Sequence, residues 1–240
     1  MAAPGSGPAA HAGRRMAVAA AAFAAAAALA PAADHGWLAE ADRRAFEAVR
    51  RRRGVLAVRA ARVISALAEP QVVYPVLAIA GVGAARPGQW WRAGQWWRAG
   101  MPCLVVAGGA VARRRLSRVM GRPRPPAEAW LIEPEGFSLP SKHTTLAVLT
   151  AGACVRAGGI GGAPARAARL LAAAGVGGSR VYLGVHWPAD VIAGWLFAEG
   201  WLRLADAQRP GWPPAGKTGQ LPVPAGGNGH TYPAAPDVHR

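Results

Sequence analysis

A histidine and an aspartate spaced four residues apart, His186 and Asp190, stand at the start of an apolar run in the second half of the chain. Residues i and i+4 lie one above the other on a helix face, and Pro188 between them suits a first helical turn. The carboxylate can fix the tautomer of the ring, which leaves the other nitrogen to act as a nucleophile or base. The pair could also be half of a metal site, but no further His, Cys or carboxylate cluster stands near it in the sequence.

Cationic side chains that suit a tetrahedral oxyanion accompany this pair. Arg115 and Arg122 are separated by six residues in front of Pro123, and Arg180 lies shortly before His186. A guanidinium group offers a planar fork of donors that matches phosphate geometry. A lone arginine at the end of an apolar run is usually an interfacial anchor. The combination with titratable residues is what points to phosphate chemistry.

A second histidine follows a predicted helix start in "LPSKHTT", which contains Ser141, Lys142 and His143. A helix that begins at Pro140–Ser141 would present free N–H groups and the positive end of its dipole to an anion. His143 is placed there to give a proton to a leaving oxygen. Taken alone, a histidine at a helix start is more often a hydrogen-bonded structural residue.

The composition favours a membrane protein with anionic partners. The 240 residues include 28 Lys and Arg against 12 Asp and Glu, a formal net charge of +16, and 10 Trp. Such an excess suits phosphate groups, acidic lipids or nucleic acid, and tryptophan favours membrane–water interfaces. Cys103 and Cys154 lie in apolar runs, so we expect buried thiols and no disulfide.

Six apolar runs predict an all-α bundle of six transmembrane helices. They cover residues 16–33, 71–85, 96–112, 139–155, 170–185 and 187–204. All are shorter than the roughly 20 residues that cross a bilayer comfortably, so flanking Trp and Arg would have to snorkel. The first run could also be a secretory leader, but the runs that follow favour a span.

An amphipathic segment, residues 37–70, follows the first run. Apolar residues such as Leu56 alternate there with Arg59 and Arg62, which predicts a helical segment in the membrane interface. A solvated helix in a soluble bundle is the alternative. The predicted organisation is a disordered basic N-terminus over 1–15, a membrane-embedded domain over 16–204 and a disordered Pro/Gly-rich tail over 205–240.

The alternation of spans predicts where the polar clusters meet. The third span ends on the side where the fourth begins, and the fifth ends and the sixth begins on that side as well. The arginine pair before Pro123, the Ser–Lys–His cluster and the Arg–His–Asp cluster should therefore share one face of the bundle, where they would form one site.

The order R-x6-R-P, P-S-x-H and S-R-x5-H-x3-D resembles the type 2 phosphatidic acid phosphatase family, which shares its site with vanadium haloperoxidases. The last motif matches in full from Ser179 to Asp190. The resemblance implies that His186 attacks phosphorus to form a phosphohistidine, that His143 protonates the leaving group and that Asp190 orients the nucleophile. It assigns phosphate binding to Arg115, Arg122, Ser141, Lys142 and Arg180.

The resemblance also implies that no metal or other cofactor is needed. The expected substrate is a lipid phosphate or polyprenyl diphosphate in the membrane, and no nucleic acid partner is expected. The family's site usually lies on the extracytoplasmic side of the cell membrane. The Lys and Arg residues of this chain do not favour the opposite face, so the positive-inside rule does not support that orientation here.

Two positions depart from the family pattern. Arg115 stands where the first motif usually has lysine, and Lys142 replaces the usual glycine, which would be strained if a positive φ were required. We hypothesise that the Lys142 charge favours diphosphates. Two other functions stay open: a catalytically impaired membrane protein that binds anionic lipid, and a vanadium-dependent haloperoxidase.

Overall fold

The computed structural model describes residues 8–84 and 95–208, and these residues fold into helices without any strand. The all-α prediction is therefore confirmed for this part of the chain. The helices are α1 (Pro8–Asp34), α2 (Gly36–Arg50), α3 (Val55–Ala66), α4 (Pro70–Ala84), α5 (Gln95–Met120), α6 (Lys142–Ala157), α7 (Gly162–Ala172), α8 (Gly178–Tyr182) and α9 (Pro188–Ala207), with a short 3-10 helix at Ala127–Ala129 and a π-helical segment at Ala173–Gly177.

Helix α6 lies at the centre of the bundle, where it packs against α4, α5, α7 and α9. Its buried face carries Val148 and Leu149, which join Leu77 of α4 and Val106 of α5 in the largest apolar core. Helix α1 runs along α9 in the most extensive helix–helix contact of the described residues. Both helices that begin at the polar clusters, α6 and α9, are thereby fixed by apolar packing on several sides.

Two parts of the described chain are long and apolar enough to cross a membrane. Helix α1 is long and apolar enough to cross a bilayer, and α3 and α4 meet the same criterion together as a pair bent by 52°. Most of each predicted run lies in α1, α4, α5, α6, the continuous helical stretch 162–182 or α9. The count of six spans stays a prediction.

The chain ends differ in part from the predicted organisation. Helix α1 begins at Pro8, inside the segment 1–15 for which disorder was predicted, and α9 continues to Ala207. Residues 1–7, 85–94 and 209–240 lie outside the described residues.

The long connection between α5 and α6, residues 121–141, covers the polar end of the bundle. The backbone N–H of Leu131 donates to the carbonyl of Leu183 at 2.9 Å, which ties this connection to the end of α8. Gly184 follows with φ of 83°, and a Cβ there would collide with the carbonyl oxygen of Ala129. A residue with a side chain would be strained at this position. Glycine therefore allows the turn after which residues 185–187 lead into α9.

Candidate active site

A cavity of about 400 Å³ opens at the polar end of the bundle. Its wall includes His143 from the start of α6, His186 from the connection before α9 and Arg180 from α8. Lys142 lies on the same wall. Span alternation placed these four residues on one face, and the structure brings them into one cavity.

His186 is almost fully buried and has a partner at each ring nitrogen. Its Nδ1 is 3.3 Å from Oδ2 of Asp190, and its Nε2 is 3.2 Å from Nη1 of Arg124. Because a guanidinium group only donates, Nε2 must be the unprotonated nitrogen and Nδ1 carries the hydrogen. Burial lowers the pKa of His186 to about 4, against the opposing effect of Asp190. The ring is therefore neutral near pH 7 and has a lone pair on the cavity side.

Asp190 is held rigidly behind this ring. Its Oδ2 accepts the backbone N–H of Trp187 at 2.8 Å and the hydroxyl of Ser138, and its Oδ1 accepts from Arg122 at 2.7 Å. Asp190 is in the first turn of α9, so the carboxylate also caps the free N–H end of the helix. A carboxylate with this many donors has little freedom to move, which fixes the orientation of His186.

Arg122 does not reach the cavity, although the sequence predicted that it binds phosphate. Its guanidinium group is buried among Asp190, Asp42 at 2.8 Å and Asp34 at 3.1 Å, and it also donates to the carbonyl of Ala33. The structure therefore places Arg122 behind Asp190, where its donors are already occupied by acceptors from α1, α2 and α9. The sequence could not reveal these partners because Asp34 and Asp42 are about 80 residues away in the chain.

Arg124 occupies the cavity wall in place of Arg122. Besides its contact with His186, it donates to the backbone carbonyls of Glu135 at 2.6 Å, Val185 at 2.7 Å and Gly136 at 2.8 Å. These bonds hold the fork of the side chain beside Nε2 of His186. Sequence reasoning missed Arg124, although "GRPRPP" contains two Arg–Pro pairs and the second was an available signal.

Arg115, the other predicted member of this motif, is exposed on α5 and is not part of the cavity wall. Its substitution for lysine therefore does not alter the cavity in this structure. Arg113, one helical half-turn earlier, donates to the carbonyl of Pro140 at 2.9 Å. It links α5 to the start of α6.

The start of α6 is built from Ser141, Lys142 and His143. Ser141 is fully buried as the N-cap, its hydroxyl accepts the N–H of Thr144 at 3.4 Å, and its own N–H donates to the carbonyl of Asp190. Ser141 is thus occupied with structure and does not line the cavity. Lys142 is the first residue of the helix, so it has helical backbone geometry and no positive φ is needed there. Its ammonium group is 3.8 Å from the carboxylate of Glu135.

Arg180 is buried in the cavity wall with spare donor capacity. One terminal nitrogen donates to the hydroxyl of Ser65 at 2.8 Å, while Nε has no hydrogen-bond partner among the described residues. A buried donor without a partner is costly, so a site of this kind favours an acceptor from a bound anion. Together, Arg124 and Arg180 give the cavity two guanidinium groups.

No group of three or more His, Cys, Asp or Glu within residues 8–84 and 95–208 is arranged to hold a metal ion.

Comparison with known proteins identifies the family of this chain. The family model described as PAP2 superfamily matches residues 59–211, which is more than half of the chain. This chain belongs to the PAP2 superfamily. The matched segment contains the cavity residues, whereas Asp34 and Asp42 of the PAP2 chain precede it.

Two known proteins resemble this PAP2 chain. The crystal structure of a transmembrane PAP2 type phosphatidylglycerolphosphate phosphatase from Bacillus subtilis is 25% identical, with a TM-score of 0.62 over 79% of this chain and 94% of that one. An undecaprenyl-diphosphatase from Sulfolobus acidocaldarius is 60% identical over 30 residues. That match spans 12% of this chain and only 14% of the length of the curated relative.

The structure predicts that Asp42, which lies before the family-matched segment, stabilises the site. Its two carboxylate oxygens accept from Arg122 and from the N–H of Ala189 at 2.8 Å. We expect Asp42→Ala to lower the free energy of unfolding by about 3 kcal/mol, because it leaves a buried guanidinium and a helix N–H without their acceptor. Thermal unfolding in detergent measures this loss.

Glu40→Ala, on the same helix, is the matched control: it also removes a carboxylate, but this one is half-exposed and pairs only with the exposed Arg43 and Arg44, so the unfolding temperature should change little. Asp42→Asn should be milder than Asp42→Ala because its amide oxygen can still accept the Ala189 N–H. Equal stability of Asp42→Ala and the unmodified protein would contradict the proposed role of this carboxylate.

Proposed function

We propose that this chain is an integral-membrane phosphatase that hydrolyses lipid phosphates or diphosphates through a phosphohistidine on His186, without a metal. The observation that carries the proposal is the unprotonated Nε2 of a buried histidine, oriented by Asp190 and facing a cavity with two guanidinium groups. Membership of the PAP2 superfamily and the activities named for the two similar proteins support the same reaction class.

The first chemical step is an in-line displacement at phosphorus. The lone pair of His186 Nε2 forms the P–N bond while the P–O bond to the leaving group breaks, and His143 gives its proton to the departing oxygen. Arg124 donates to Nε2 in the free site, so that donor has to turn to a phosphate oxygen when substrate enters. Arg180 supplies a second fork for the equatorial oxygens.

The second step returns the site to its starting state. Water attacks phosphorus and passes a proton to the now neutral His143, the P–N bond breaks, and its electron pair returns to Nε2 of His186. Inorganic phosphate leaves the cavity. Asp190 stays ionised throughout and stabilises the positive charge that the ring carries in the intermediate.

A lipid substrate in the membrane fits the surroundings of the cavity. Helix α3 borders the cavity at Arg62 and Ala66, and it exposes the large apolar side chains of Leu56 and Val63. We propose that α2 and α3 form an interfacial segment, that the six apolar runs span the membrane and that the site is extracytoplasmic. Phosphatidic acid, phosphatidylglycerol phosphate and polyprenyl diphosphates are the substrate candidates.

The test of this function is phosphate release from a panel of lipid phosphates and diphosphates by the detergent-solubilised protein. Vanadate should inhibit the release, and EDTA should leave it unchanged. Activity that disappears with EDTA would indicate a metal enzyme. Bromide oxidation in the presence of vanadate would indicate a haloperoxidase, and lipid binding without any turnover would indicate an impaired enzyme.

Lys142 provides a prediction about substrate preference. Its ammonium group lies at the cavity wall beside Glu135 and adds one positive charge to that wall. We propose that this charge contacts the second phosphate of a diphosphate. We expect Lys142→Gly to lower kcat/KM for a lipid diphosphate about tenfold more than for the matching monophosphate. Steady-state kinetics on both substrates measures the ratio.

The conservative variant Lys142→Arg keeps the charge and should keep the ratio close to that of the unmodified protein. If Lys142→Gly lowered both activities equally, or neither, Lys142 would not select diphosphates. The proposed phosphatase function would be unaffected by that result.

A further inference from the structure

The second histidine of the cavity has one carboxylate partner that none of the motifs contains. Nε2 of His143 is 2.8 Å from Oε1 of Glu69, a residue at the turn between α3 and α4. Glu69 also lines the cavity, and about a third of its side chain (32%) is exposed. Glu69 is thus close to the proton that the proposed mechanism needs.

The two ring nitrogens of His143 differ in what can reach them. Nδ1 is enclosed and has no hydrogen-bond partner among the described residues, so a leaving oxygen in the cavity cannot approach it. Nε2 lies beside a carboxylate that itself borders the cavity. Proton transfer to a substrate therefore has to occur through Nε2.

The charges around His143 determine whether its ring can hold that proton. Arg180 and Lys142 line the same cavity, and each disfavours a second positive charge nearby. Burial of the ring adds a desolvation cost for the cation. Glu69 is the carboxylate in contact with the ring, and its negative charge opposes these effects.

We propose that Glu69 is a positioning residue that keeps the transferable proton on Nε2 of His143 and yields that N–H to the leaving oxygen when a phosphate fills the cavity. This inference rests on the proposed phosphatase function. When the P–O bond breaks, its electron pair stays on the leaving oxygen, which takes the Nε2 proton. The ring becomes neutral with a hydrogen on Nδ1, and Nε2 regains a proton from water as the P–N bond breaks.

The need for this proton depends on the leaving group. An alkoxide leaving from a lipid monophosphate is a strong base and requires protonation, whereas 4-nitrophenolate is stable as an anion. A residue that prepares the acid should therefore matter for the first substrate and hardly for the second. A residue that only stabilises the fold should affect both alike.

The experiment compares Glu69→Gln with the unmodified full-length protein on a lipid monophosphate and on 4-nitrophenyl phosphate. We expect kcat for the lipid monophosphate to fall on the order of 10- to 100-fold, and kcat for 4-nitrophenyl phosphate to change by less than about threefold. Glu69→Asp keeps the charge on a shorter side chain, and its kcat for the lipid monophosphate should lie between those of Glu69→Gln and the unmodified protein. Glu133→Gln removes one charge from the same wall and should leave the ratio of the two activities unchanged.

A double-mutant cycle with His143→Ala separates positioning from folding. Glu69→Gln should cause no further loss in the His143→Ala background, because the proton that it prepares is already absent. An equal loss on both substrates would overturn the proposal, and so would unchanged or increased activity on the lipid. Failure of the phosphatase function itself would be distinguishable, since the unmodified protein would then release no phosphate from either substrate.

Discussion

Replacing His186 with alanine should reduce phosphate release by several orders of magnitude, about 10⁴- to 10⁶-fold. The variant removes a ring that has a carboxylate at Nδ1 and an unprotonated Nε2 on the cavity side. Water would then have to attack phosphorus without a covalent intermediate. Phosphate release from a lipid monophosphate in detergent measures the loss, and thermal unfolding shows whether the variant keeps its fold.

His11→Ala is the matched control, because His11 is exposed on α1 and far along the chain from the cavity residues. It should retain full activity. Brief reaction with radiolabelled substrate should label the unmodified protein with phosphate in a bond that is stable to alkali and labile to acid. His186→Ala should show no such label, and a variant that released phosphate at the unmodified rate would rule out the mechanism.

Arg124→Ala should lower kcat/KM about 10²- to 10³-fold while leaving most of the stability intact. Nη1 of Arg124 donates at the cavity side of His186, while the other N–H groups of the side chain bond to backbone carbonyls. We expect this one donor to turn to a phosphate oxygen as charge develops. Arg124→Lys keeps the charge but loses the planar geometry, and we expect it to recover only part of the activity. Steady-state kinetics with a lipid monophosphate tests the series.

Arg115→Ala and Arg122→Ala complete this comparison. Arg115 is exposed outside the cavity, so its loss should change activity by less than about twofold. Arg122→Ala should lower the unfolding temperature strongly because it leaves three carboxylates without their shared cation. A stable Arg115→Ala protein could instead lose as much activity as Arg124→Ala. That result would support the sequence-based prediction that Arg115 binds phosphate and would contradict its position outside the cavity.

The sequence was sufficient to predict which end of the bundle holds the polar cluster. The four-residue spacing of His186 and Asp190 places both side chains on one face at the start of a helix. The order of the apolar runs, taken as alternating spans, predicts at which end of the bundle each helix begins. The arrangement of His143, Lys142, Arg180 and His186 around one cavity follows from those local rules. The family resemblance was confirmed by the match over residues 59–211.

The arginines could not be assigned in the same way. Arg122 and Arg124 are two residues apart in an irregular connection, where no period determines which side chain turns inward. Their directions depend on partners that are distant in the chain: three aspartates for Arg122, and backbone carbonyls of the connection for Arg124. Glu69 was missed for a similar reason, since a glutamate at a helix–helix turn is ordinarily a solvated residue.

The acceptors that surround Arg122 limit how much of the chain can be removed from the N-terminal side. Three of its four partners, the carbonyl of Ala33 and the side chains of Asp34 and Asp42, precede the family-matched segment. A fragment trimmed to that segment would keep every cavity residue in its sequence and still lose the anionic support behind the nucleophile. Minimal versions for biochemistry or for transplanting the activity should therefore keep the segment that carries Ala33, Asp34 and Asp42.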